Sequence, residues 1–264
     1  MQFVIDKSYL QSTSAENLRT HASHHTILFA ESLLYELLTT ERETVRRTCL
    51  AKLTQVNSSI KLLPSTGPLF QHEIAHQQPA YPVIDHTLPV TFQDLVTGLD
   101  SCPLDEQPAL SEWQLEVQRE VEAFDLVAKS LAEWCPKLET AKRSVLGQAC
   151  GELKEQACGD ADVVRRIYRS LGLEDFPCAS LIDSAWITFR WVQMHILFGL
   201  DHISRYGFGN PDRIPKRVEH DVHDLQYALF GTLCGGLATT DLGIKQNFRL
   251  ACPNGFLLSQ HNDQ

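Results

Sequence analysis

An uncharged run long enough to cross a membrane is missing from this sequence. The most apolar stretch, residues 185–200, contains Arg190 and His195 and reads as a buried helix. A basic-then-apolar leader is also missing, because Met1 opens directly onto a strand-like run. No C-x-x-C pair occurs among the eight cysteines (49, 102, 135, 150, 158, 178, 234 and 252), which leaves reduced thiols and a cytoplasmic location as the expectation. Basic residues are scarce: 23 against 33 acidic ones, a net charge of −10. That balance excludes a protein that grips nucleic acid with its whole surface. A local basic patch remains compatible with it.

What is present is globular. The 264 residues are 43% hydrophobic and 21% charged, enough to bury a large core. Residues 1–5 read as a strand closed by Asp6. Ser14 suits an N-cap for a short helix, and His21, His24 and His25 read as loop histidines before a second strand at residues 26–30. Residues 31–55 read as one helix carrying Glu31 and Glu36. Seven prolines across residues 61–110 argue for a linker or loop-rich excursion. Residues 111–171 carry helical stripes, the first being Val117, Val121, Phe124, Ala128 and Leu131. The basic residues Lys142, Arg143, Arg165, Arg166 and Arg169 of this region read as a solvated face. The large apolar residues Trp186, Phe189, Trp191, Met194 and Phe198 fall at core spacing.

Near the C-terminus, Val218, Val222, Leu225, Leu229 and Leu233 mark the packed face of a helix. Asp221 and Asp224 lie beside that face, one turn apart. Gly235 and Gly236 suit a helix stop and a tight turn. Residues 237–240 then read as a short buried strand, and Asp241 sits at its C-terminal end, where open α/β sheets place ligands. A further helix is expected at residues 243–250 and a last strand at 256–258.

The two strand-end aspartates, Asp6 and Asp241, with an acid-bearing helix before the second, resemble the PIN-domain family of metal-dependent nucleases. Residues 3–10 fit the family's first motif. Asp224 to Asp241, with Thr239 between, fits its last. Glu36 takes the place of the family glutamate, with Glu31 as the reserve. The resemblance covers residues 1–45 and 181–258. It implies a three-layer α/β/α fold with a central, mostly parallel sheet. Residues 1–60 and 181–264 then form the PIN-like domain, 61–110 a linker, and 111–180 an inserted helical subdomain. The resemblance also implies Mg²⁺ or Mn²⁺ held by Asp6, Glu36, Asp224 and Asp241, with Asp221 as a fifth acid, hydrolysing phosphodiester bonds with RNA as the expected substrate. All-oxygen ligation suits those ions rather than zinc. Thr239, Arg213, Lys216 and Arg217 are the candidate substrate contacts.

Two other readings stand beside this one. A PIN-like module without activity would use its helical insertion to bind a protein partner. A zinc-dependent hydrolase would use His72-Glu73-Ile74-Ala75-His76, which matches H-E-x-x-H but carries Pro82 where the extended motif has a third ligand. His220 and His223 flank the aspartates and read as supporting or surface histidines.

Overall fold

The computed structural model describes residues 1–82, 92, 108–140, 142–172, 177–207 and 215–259. Among the described residues, five short strands make one sheet: β1 (Gln2–Ile5), β2 (Thr26–Phe29), β3 (Ile60–Leu62), β4 (Gly236–Ala238) and β5 (Phe256–Leu258). All neighbours are parallel and the order is β3-β2-β1-β4-β5. Phe3 lies opposite Ile27 on one side, and Val4 lies opposite Leu237 on the other. Phe3, Val4 and Ile5 are fully buried, which explains a continuous apolar run rather than an alternating one. The sheet is thus all-parallel, a stricter arrangement than mostly parallel.

Winding runs outward from β1 through β2 to β3, then resumes on the other side with β4 and β5. The topological switch point therefore lies between β1 and β4. Crevices at such points, beyond the strands' C-terminal ends, are the usual ligand sites of open α/β sheets.

Twelve α-helices lie among the described residues. α1 (Lys7–Ser12) starts directly on β1, and α2 (Ala15–His24) is capped by Ser14, whose Oγ accepts the Asn17 N–H. His21 and His24 fall within α2 rather than in a loop. The expected single helix at residues 31–55 is two, α3 (Glu31–Leu38) and α4 (Glu43–Thr54). The Thr39 and Thr40 hydroxyls bond the Tyr35 and Glu36 carbonyls at the break, a use of threonine that competes with helix continuation.

The proline-rich region is more ordered at both its ends than its punctuation suggests. β3 reaches Leu62, and α5 (Thr66–His76) contains Pro68 in its first turn, where a missing N–H costs no helical bond. α6 (Pro108–Trp134) begins on a proline for the same reason. Residues 83–91 and 93–107 lie outside the described residues.

α7 (Lys137–Thr140), α8 (Arg143–Gly159) and α9 (Ala161–Ser170) follow, then α10 (Ile187–Tyr206). α10 serves two cores. Ile187, Met194, Leu197 and Phe198 pack in the sheet's core, while Phe189, Val192, Ile196 and Leu200 pack with α8 and α9. Among the described residues, no helix is long and apolar enough to cross a membrane.

α11 (Pro215–Cys234) packs against β1 and β4. Val218, Val222, Leu225 and Leu229 are buried on it. Gly235 stops it with φ 72°, in the left-handed region that glycine enters at no steric cost. Gly236 opens β4 so close to β1 that a Cβ there would lie 2.3 Å from the Gln2 carbonyl oxygen. α12 (Leu242–Ala251) and β5 complete the chain.

Candidate functional site

Asp6 ends β1 and caps α1. Its Oδ1 accepts the Tyr9 N–H at 2.7 Å, and Ser8 Oγ donates to the same carboxylate at 2.8 Å. Thr239 Oγ1, arriving from the end of β4, donates to Asp6 Oδ2 at 2.5 Å. The Asp6 N–H itself donates to the Ala238 carbonyl at 3.1 Å. Asp241 caps α12 by accepting the Ile244 N–H, while its own N–H donates to Ser8 Oγ and Thr239 Oγ1. Two helix N-caps at adjacent strand ends thus share Ser8 and Thr239. Both carboxylates lie at helix N-termini, where the backbone favours negative charge.

Glu36 enters from the C-terminal half of α3. Its Oε1 accepts from Lys7 Nζ at 3.0 Å and its Oε2 from the Tyr227 hydroxyl at 2.7 Å. Asp224 comes from α11, one turn before Tyr227. No hydrogen bond reaches its carboxylate among the described residues, though it is half-buried. Asp6, Glu36, Asp224 and Asp241, with Lys7, Ser8, Gln11 and Tyr227, line one pocket of about 250 Å³ at the switch point.

The charges in this pocket oppose one another. Burial pushes the Asp6 carboxyl up to about 6, against its bonds to Thr239, Tyr9 and Ser8, and Asp241 adds to the rise. Asp224 is held well above the ordinary carboxylate range, first by burial and then by Asp241, Glu36 and Asp6. Tyr227 is held far above the usual phenol value by burial and by Glu36. Such acids favour protons or a cation. Among the described residues no three acid, histidine or cysteine groups already stand close enough to grip one ion. The carboxylates share a pocket without converging on a point, and Lys7 and Tyr227 occupy Glu36.

The other sequence candidates lie apart. Asp221 is turned to α10, where His202 Nδ1 sits 2.8 Å and Arg205 Nη1 3.3 Å from its two oxygens. It does not line the acid pocket. Glu31 lies by Tyr35, Trp113 and Glu116, where burial first and Glu116 second raise its carboxyl. Arg217 sits over the Tyr206 ring at 5.1 Å. Arg213 and the side chain of Lys216, the second residue of α11, lie outside what is described. Arg165 is engaged by the Ile182 carbonyl and Asp162.

The H-e-x-x-H geometry does not serve zinc. His72 and His76 stack at 4.3 Å on the exposed face of α5. Glu73 is fully buried on another face. Its oxygens accept the N–H groups of Ala80, Ile187 and Thr188 and the Thr188 hydroxyl. That carboxylate caps α10 and has no lone pair turned to the histidines.

Sequence reasoning missed Lys7, Ser8 and Tyr227. Ser8 and Lys7 directly follow a strand-end acid, and Tyr227 is one helical turn from Asp224, so their proximity was inferable. Their partners were not.

No protein-family model, curated protein or solved structure matches this chain.

Proposed function

We propose that the chain is a PIN-like nuclease that hydrolyses phosphodiester bonds with the help of a hard divalent cation, Mg²⁺ or Mn²⁺. The observation that carries this reading is the meeting of Asp6, Glu36, Asp224 and Asp241 in one pocket at the switch point of a parallel sheet. The residues fit such an ion in kind: the donors are all oxygen, and Asp224 is a half-buried carboxylate with no hydrogen-bonding partner among the described residues. When bound, the ion would acidify a water and stabilise charge on the phosphodiester.

The chain's own residues do the rest. Thr239, Ser8 and the Tyr9 N–H hold Asp6 in one orientation. Tyr227 fixes one oxygen of Glu36 and leaves the other to an exchangeable partner. The helix N-termini behind Asp6 and Asp241 favour their ionised forms. RNA as the substrate is what the resemblance implies.

The test is cleavage of labelled single-stranded RNA, single-stranded DNA and duplex in Mn²⁺, Mg²⁺, Zn²⁺ and EDTA. Wild type should cut in Mn²⁺ or Mg²⁺ alone. Asp224→Asn should retain the fold by circular dichroism and lose cutting by at least about a hundredfold, the scale of losing one electrostatic stabiliser. Undiminished cutting by that variant would refute the assignment.

A further inference from the structure

The acid pocket opens into a larger groove of about 720 Å³. Lys7 and Glu36 line both. Past them the groove runs between the α3–α4 turn, residues 39–42, and the start of α11 with Glu219, His220 and His223.

Among the described residues its lysine and arginine are Lys7 and Arg42, with the carboxylates of Glu36, Glu41 and Glu219 in the same lining. Lys7 is the single basic residue lining the acid pocket among the described residues, and its ammonium is spent on Glu36. Arg42 is exposed and forms no ion pair among the described residues. It is also the N-cap residue of α4, and no side chain caps that helix end. Glu43, which would otherwise compete for it, is taken by Arg47 at 2.7 Å. The Glu43 and Thr44 N–H groups of α4 therefore remain available to an anion, while those of Val45 and Arg46 donate to the Arg42 carbonyl. In the groove wall, His223 is only 3% exposed, and its Nδ1 has no hydrogen-bonding partner among the described residues.

We infer that this groove carries the strand adjoining the cleaved phosphate, that Lys7 and Arg42 bind its phosphates, and that the Lys7–Glu36 ion pair is the resting contact a phosphate replaces. The inference rests on the nuclease reading. A partly buried ammonium is costly without an anion beside it. Whatever draws Glu36 away leaves Lys7 in need of one, and a phosphate at the mouth of the groove supplies it. Glu36, Glu41 and Glu219 line the same groove, so the strand's phosphates are held at Lys7 and Arg42 rather than along the whole wall.

The experiment measures binding of fluorescent single-stranded RNA by anisotropy in Mn²⁺ across a salt series. Asp224→Asn is the background, so the probe is not cut. Adding Lys7→Met or Arg42→Met should weaken binding and lower the slope of log K against log salt by about 0.7 each, one phosphate contact on a single strand. Lys7→Arg, which keeps the charge, should keep the slope. Arg165→Met, removing a residue engaged by the Ile182 carbonyl and Asp162 and absent from the groove lining, should leave it unchanged. Unaltered slopes for Lys7→Met and Arg42→Met, with wild type still cutting RNA, would overturn the groove alone. Protein that neither binds nor cuts RNA or DNA would overturn both readings.

Discussion

Gly236 decides whether the two ends of the chain can meet. A methyl there would meet the Gln2 carbonyl at 2.3 Å and the Phe3 Cα at 3.1 Å, and both are backbone of the central strand. Backbone yields far less readily than a side chain. Gly236→Ala should therefore cost at least about 3 kcal/mol, the upper range for overpacking. Gly151→Ala is the control: nothing lies within 4 Å of a Cβ there, in mid-helix, so a gain of up to about 1 kcal/mol is expected. Urea denaturation of the two variants measures both. Two strand-end acids, Asp6 and Asp241, were legible because an apolar run, an acid and a helix start are contiguous. Lys7 with Glu36 was not, nor Tyr227 with Glu36, since those pairs span 29 and 191 residues.

Between elements, buried carboxylates act as joints. Glu73 ties α5 to the first turn of α10 by accepting three backbone N–H groups and one hydroxyl. Glu73→Ala leaves those donors buried and unmet, and should cost about 3 kcal/mol or more. His72→Ala and His76→Ala should each stay within about 0.5 kcal/mol, as exposed changes do. Thermal melts of the three variants separate a joint from a zinc motif. The sequence pattern was real here, and its meaning lay in the long-range contact to residues 187 and 188. A comparable joint links Lys154 of α8 to Asp201 of α10 at 2.5 Å and to Asn247 of α12 at 2.9 Å. A helix start was legible where a cap stood, as at Ser14, whereas Pro108 was read into the linker and α6 begins there rather than at residue 111. The break after α3 was hidden, because Thr39 and Thr40 announce it only through bonds to carbonyls one turn back.

At the scale of the molecule, stability should carry a pH signature from the junction of α6 and α10. Glu120 accepts the Trp191 indole N–H at 3.2 Å and lies 3.6 Å from His195 Nε2. Burial pushes the Glu120 carboxyl up to about 7 and pulls fully buried His195 down to about 4. For Glu120, protonation is favoured in the fold. Its contribution is complete below the ordinary value of 4.5 and is lost as pH rises through 7. For His195 the neutral ring is favoured, so its contribution is complete above 6.5 and lost as pH falls towards 4. Glu120→Gln should leave stability near pH 4 unchanged and raise it at pH 8 by at most about 3 kcal/mol. Urea titrations at the two pH values check this, and equal stabilities at pH 8 would remove Glu120 from the account. The α/β class was legible as a whole, because its strands are short apolar runs spaced by helices. The sharing of α10 between two cores was not, since a helix apolar on every side shows that it is buried without showing against what.

The central place of β1 has a consequence for synthesis. Its partner β4 is made more than two hundred residues later, so a chain still on the ribosome displays β1 with one open edge. Asp6 then has no Thr239, and Glu36 has no Tyr227. The pocket is assembled only once Asp224, Tyr227 and Asp241 have been made, so a shorter nascent chain carries Asp6, Lys7 and Glu36 without the other half of their pocket.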